Sequence, residues 1–206
     1  KWILFPENYG AIFGGDKAVS NPINEDKIIS EKVKKFVEKS FDKTIKWVDK
    51  FSNLNDVEII IRPRPMTPKE NLLKAYTKIN GKISKNVHFI KEEKARDWIL
   101  SSDVIISNYS TTLIESSLAD KETYMLEPFE SPEFMTSDWY EFIPKLKSFD
   151  DFNSIPISNV SNTKDLKKWA ANNISPNFDV IDKLSYFLFD ELQTFTPQYN
   201  EISKYN

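Results

Sequence analysis

The chain has no cysteine, one histidine and only four glycines among 206 residues. Without thiols it can form no disulfide, no thiolate nucleophile and no sulfur-ligated zinc site, and a single histidine excludes a cluster of nitrogen and sulfur ligands. That histidine, His88, lies between Val87 and Phe89 in an expected strand and reads as structural rather than as a general base. No apolar run reaches the roughly 18 residues of a spanning helix, and no signal peptide is visible. Charge of one sign is also scarce. The 28 Lys plus Arg against 31 Asp plus Glu leave a net of -3, which is no general footprint for nucleic acid. Residues 32–50 are basic but interrupted by Glu38, Asp42 and Asp49, the pattern of a solvated helix face. The chain has no G-x-G-x-x-G fingerprint, no Gly-Lys-Ser/Thr phosphate loop and no Gly-x-Ser-x-Gly elbow, which weakens the dehydrogenase, NTPase and hydrolase readings. Asp16, Asp103 and Glu127 lack ion-binding spacing, so no metal is expected.

What is present suits a single core. Hydrophobic residues make up 40% of the chain, with 15 Phe, 8 Tyr and 5 Trp, enough apolar material for one domain over residues 1–206. Its part from 129 to 206, rich in aromatics, is expected to be helical. An apolar run begins at Trp2, directly at the start of the sequence, so an upstream segment is expected. Strands are expected at 2–5, 57–61, 87–90, 103–107 and 122–126, with a late edge strand at 155–157. Helices are expected at 25–51, 95–100, 112–118, 164–172 and 180–195, and another runs from Thr67–Pro68 to Gly81, capped by Thr67 with Glu70 closing a capping box. Strands alternating with helices imply an α/β fold: a Rossmann-like open parallel sheet flanked by helices.

In such a sheet, ligands bind beyond the carboxyl ends of the strands. Three loops lie there. The first carries Glu7, Asn8, Tyr9 and Gly10, followed by Gly14 and Gly15; three of the four glycines cluster here, and the connection is long for a plain turn. Glu7 could orient a sugar hydroxyl or an attacking group, and Tyr9 could stack on a base or sugar; equally, the loop could be held by its own side chains. The second, Arg62-Pro63-Arg64-Pro65, sets two guanidiniums on backbone stiffened by proline. These could grip a phosphate through paired hydrogen bonds or serve in structural ion pairs. The third runs Ser107-Asn108-Tyr109-Ser110-Thr111-Thr112 into a helix. Its hydroxyls and N–H groups suit a phosphate, and Ser110 or Thr112 could equally cap the helix with Glu115 closing a capping box. Glu115, one turn in, could accept from ribose hydroxyls.

The segment SSDVIISNYSTTLIESSLADKETYMLEP, residues 101–128, resembles the C-terminal, donor-binding domain of GT-B glycosyltransferases that build bacterial surface carbohydrate, among them CDP-glycerol glycerophosphotransferases and Kdo-transferase-like enzymes of capsule and lipopolysaccharide assembly. IIIRPRP is similar to their strand followed by Arg-Pro-His-Pro, with Arg64 where histidine is usual. LFPENYGAIFGGDKA resembles the first strand and glycine loop of surface carbohydrate biosynthesis proteins. The resemblance implies one half of a GT-B glycosyltransferase binding a CMP-, CDP- or UDP-linked sugar for transfer to a glycan or glycolipid acceptor. It implies that Ser110, Thr111 and Thr112 hold the donor phosphates, with Ser107 and Asn108 in the same turn, that Glu115 lies near the donor sugar or ribose, and that Arg62 and Arg64 face the same cleft. An N-terminal acceptor-binding domain would supply the acceptor base. The expected location is the cytoplasm, with peripheral association at the inner face of the cytoplasmic membrane. The other readings are a sugar-nucleotide epimerase-like enzyme and a non-catalytic nucleotide-binding or scaffold domain. Neither a cofactor nor a nucleic-acid partner is expected.

Overall fold

A computed structural model describes residues 1–13, 24–158 and 160–174. Gly14, Gly15 and Pro22 of the first loop, Asp16, and the helix expected over 180–195 lie outside the described residues. Within them the strands are β1 (Trp2–Pro6), β2 (Glu58–Arg62), β3 (Val87–Phe89), β4 (Val104–Ser107), β5 (Glu122–Leu126) and β6 (Lys145–Leu146). They form one all-parallel sheet in the order β3-β2-β1-β4-β5-β6. The helices are α1 (Gly10–Phe13), α2 (Asn24–Leu54), α3 (Lys69–Asn80), α4 (Ala95–Ser101), α5 (Thr112–Leu118), α6 (Phe149–Asn153) and α7 (Lys164–Asn173). The molecule is a Rossmann-like α/β structure. Among the described residues no helix is long and apolar enough to cross a membrane.

The apolar strand runs form a sheet because both of its faces are covered, so successive side chains enter opposite cores. Ile3 and Phe5 of β1, Ile59 and Ile61 of β2, and Val104 and Ile106 of β4 join one core with Val37, Phe41, Ile45 and Val48 of α2 and Leu72 and Tyr76 of α3. Leu4, Ile60 and Ile105, each between two of those residues, join the other core with Trp98 of α4, Leu113 of α5 and Leu166 of α7. Each fully buried Ile or Leu contributes about 1.5–3 kcal/mol relative to exposure. At the amino ends of the strands Asp103 clamps β1 to β4, its carboxylate accepting Trp2 N–H at 2.7 Å while its own N–H donates to Trp2 O at 2.9 Å. His88 lies in β3 with Nε2 2.6 Å from Glu58 Oε2, at the opposite end of β2 from Arg62.

Three local expectations are corrected. The late edge strand at 155–157 does not form. Ile155 is buried against the core, Ile157 turns through a left-handed φ of 46°, and the edge position belongs to Lys145–Leu146, paired with Met125 and Leu126. Residues 129–149 do form short helices, at Glu133–Met135 and Asp138–Phe142, but they lead into that sixth strand. Thr67 does not cap α3; its hydroxyl donates to Glu7, and the helix opens from Pro68 with no side-chain cap. At its far end Gly81, at φ 80°, ends α3 in a conformation few side chains tolerate, its N–H meeting Thr77 O.

Candidate functional site

β1 is the first strand in sequence and lies inside the sheet, with β2 and β3 on one side and β4, β5 and β6 on the other. The chain therefore leaves β1 in one direction and later returns to its opposite flank, which opens a crevice at the carboxyl ends of β1 and β4. A cleft of about 620 Å³ lies there, within the range of small-ligand sites. It is lined from four segments: Pro6 to Asn8 after β1, Arg62 to Pro65 after β2, Lys94 and Ala95 after β3, and Tyr109 to Thr112 after β4.

Glu7 organises the floor. It is 1% exposed; Oε1 accepts Tyr9 N–H at 2.8 Å and the Thr67 hydroxyl at 3.2 Å, and Oε2 accepts Arg64 N–H at 3.0 Å. A carboxylate so engaged joins the β1 and β2 loops, and its geometry is that of a positioning residue. Asn8 spans the crevice. Its Oδ1 accepts from Arg64 Nη1 at 2.7 Å, and its Nδ2 donates to Tyr109 O at 2.9 Å. Gly10 keeps the space beside Arg64, since a Cβ there would stand 3.2 Å from Arg64 Nη1.

Arg62 lines the cleft but spends its donors on backbone, reaching the carbonyls of Lys91 at 2.8 Å, Glu92 at 3.1 Å and Glu93 at 2.6 Å. Burial pulls its guanidinium below its ordinary pKa, opposed by Glu92, Asp97 and Glu93. Arg64, by contrast, is exposed at the cleft. Across β1, the Ser110 hydroxyl accepts Thr112 N–H at 3.3 Å and bonds Thr112 Oγ1 at 3.1 Å. Thr111 is exposed and makes no side-chain cap. Tyr109 forms part of the wall, its hydroxyl without a hydrogen-bond partner among the described residues; burial first, then Tyr140 and Glu7, push its pKa up.

Several of the residues singled out in the sequence do not face the cleft. Tyr9 is buried, T-stacked on Phe41 at 4.9 Å, and its hydroxyl donates to Asn108 Oδ1, so its ring offers no surface for stacking on a base or sugar. Burial raises its pKa far above the ordinary tyrosine value. Asn108 is also buried and donates to Leu126 O at 2.9 Å, tying β4 to β5, while the Ser107 hydroxyl donates to Pro6 O and ties β4 to β1. The turn's first two polar residues thus hold the sheet ends beneath the cleft. Glu115 is absent from the lining and closes no capping box with Thr112; it lies on the exposed face of α5, its carboxyl raised by partial desolvation. Lys94 is the charged lining residue that the pattern did not single out. A lone lysine before a short helix carries no signal distinguishing it from any solvated lysine. No protein-family model, no curated protein and no solved structure matches this chain.

Proposed function

We propose that this chain is the donor-binding half of a glycosyltransferase that transfers a sugar from a CMP-, CDP- or UDP-linked donor to a surface polysaccharide or lipopolysaccharide acceptor. The observation that carries this reading is the cleft at the β1/β4 crevice, lined by Arg64 and Asn8 on one side and by Ser110, Thr111 and Thr112 on the other. Cationic and hydroxyl donors converging on a site of this size suit a phosphate ester joined to a larger polar body. The resemblance of residues 101–128 to the donor turn of surface-carbohydrate transferases supports the same assignment.

In this reading Arg64 and the hydroxyl turn meet the donor phosphate. Sugar–phosphate cleavage leaves negative charge on the departing oxygen, and donors already fixed there stabilise the transition state more than the ground state. Glu7 acts through Arg64 by fixing its backbone. The acceptor base comes from an acceptor-binding domain, and the enzyme works in the cytoplasm at the inner face of the membrane.

Calorimetric titration with CMP, CDP, UDP, GDP and their sugar conjugates tests this directly. One nucleotide class is expected to bind in the micromolar range, and the Ser110→Ala/Thr112→Ala variant to lose about 1–3 kcal/mol. Absence of binding by all of them would remove the donor-site reading.

A further inference from the structure

The charged groups lining the cleft divide into committed and uncommitted ones. Glu7 is committed: both oxygens accept from protein donors. Arg62 is committed as well, holding three successive carbonyls from Lys91 to Glu93. Arg64 has given one nitrogen, Nη1, to Asn8 and keeps the rest of its fork. Lys94 is exposed, lines the same cleft, and forms no ion pair among the described residues. Two available cations thus stand on neighbouring loops, after β2 and after β3, with no available carboxylate among the lining residues.

Lys94 is held there by construction. Glu93, immediately before it, adopts a left-handed φ of 61°, a backbone state that non-glycine residues occupy at a cost. The carbonyls that Arg62 grips, Lys91 to Glu93, are those of the three residues leading to Lys94. A half-buried arginine that spends its donors on shaping a turn ending in an exposed lysine makes sense if that lysine has an anionic partner.

A single phosphodiester carries one negative charge and needs one cation; a diphosphate ester carries two along its length. We propose that the group this cleft is built to take is a diphosphate, with Arg64 meeting one phosphate and Lys94 the other, and with Arg62 as the residue that positions Lys94. Resting on the donor-site reading, this narrows the donor to a nucleoside-diphosphate-linked one and sets aside the CMP-linked class.

The test measures affinities of wild type, Lys94→Ala, Lys94→Arg and Arg62→Ala for the pairs CMP and CDP, UMP and UDP, and orthophosphate and pyrophosphate. In wild type the diphosphate of the preferred base is expected to bind at least tenfold more tightly than its monophosphate. Lys94→Ala should shrink that ratio below threefold by weakening the diphosphate far more than the monophosphate, and Lys94→Arg should restore it. Arg62→Ala should also shrink the ratio, whereas a purely structural role would weaken both members of a pair alike. Equal binding of mono- and diphosphate in wild type, or equal weakening of both by Lys94→Ala, overturns the inference while the donor site stands. If no nucleotide binds but pyrophosphate does, in a Lys94-dependent way, the cation pair stands and the nucleotide reading falls. If nothing binds, both fall.

Discussion

Glu7 shows how one side chain can set a cleft while spending both its oxygens on protein donors. Its two oxygens take three donors from three positions, Tyr9, Arg64 and Thr67, and it is shielded from water. Glu7→Gln keeps the volume but turns one acceptor into an amino group. Whichever way the amide lies, an N–H or hydroxyl donor then faces another donor. Leaving such a buried group unpaired costs about 1–3 kcal/mol. Urea denaturation is expected to register a loss in that range, with a fall in Tm of about 2–4 °C for each kcal/mol in a chain of this length. A loss below about 0.5 kcal/mol would mean that the three contacts do not share the load assigned to them.

Among the elements, the weight falls on the junctions between strand ends. Asn108 closes β4 by accepting from Tyr9 and donating to Leu126 O, so the ends of β4 and β5 and the loop after β1 meet at one amide. Asn108→Ala takes one of two partners from the buried Tyr9 hydroxyl, which keeps Thr44, and the side-chain donor from the Leu126 carbonyl, and a destabilisation of about 1–3 kcal/mol is expected. The double variant Asn108→Ala/Tyr9→Phe removes both ends of the Tyr9–Asn108 bond and should fall short of additivity by about 0.5–1 kcal/mol, which a double-mutant cycle measures. These junctions also mark the limit of what the sequence discloses. β1, β2 and β4 are legible because three or four consecutive apolar residues, bounded by polar ones or proline, are best satisfied by a strand covered on both faces, and the interleaving of Ile59, Ile60 and Ile61 between two cores is that pattern realised. β6 is not legible: two residues, Lys145 and Leu146, joined by backbone bonds leave no side-chain periodicity to detect. Ile155 misleads for the converse reason, being apolar for packing rather than for pairing. All three loops picked out in the sequence do contribute to the cleft, yet polar residues at strand ends give no sign of which way they point. Asn8 and Asn108 are the same residue type in comparable places, and one spans the crevice while the other is buried beneath it.

For the whole molecule, strand order governs stability. β1 pairs with β2 over five residue positions and with β4 on its other flank, and Ile3, Leu4, Phe5, Ile105 and Ile106 are wholly buried. β6 at the edge pairs through only two positions. Opening free energies should grade accordingly, since local opening releases edges before centres. Hydrogen exchange followed by mass spectrometry is expected to show β1 and β4 amides exchanging only with global unfolding, and β6 amides exchanging faster by at least tenfold, about 1.4 kcal/mol. Equal protection of β6 and β1 would contradict this grading.

The division of labour around the crevice bears on how such a protein can change. Ser107, Asn108 and Tyr9 hold the turns together from beneath and do not line the cleft, whereas Asn8, Arg64, Lys94, Thr111 and Thr112 line it and are not part of either core. Substitutions at the exposed members of the second group, Arg64, Lys94 and Thr111, alter the chemistry of the cleft while leaving the framework's free energy nearly untouched. The chemistry of the cleft and foldedness are thereby uncoupled, and a lineage carrying this framework can vary the first through surface replacements alone, without first accumulating spare stability.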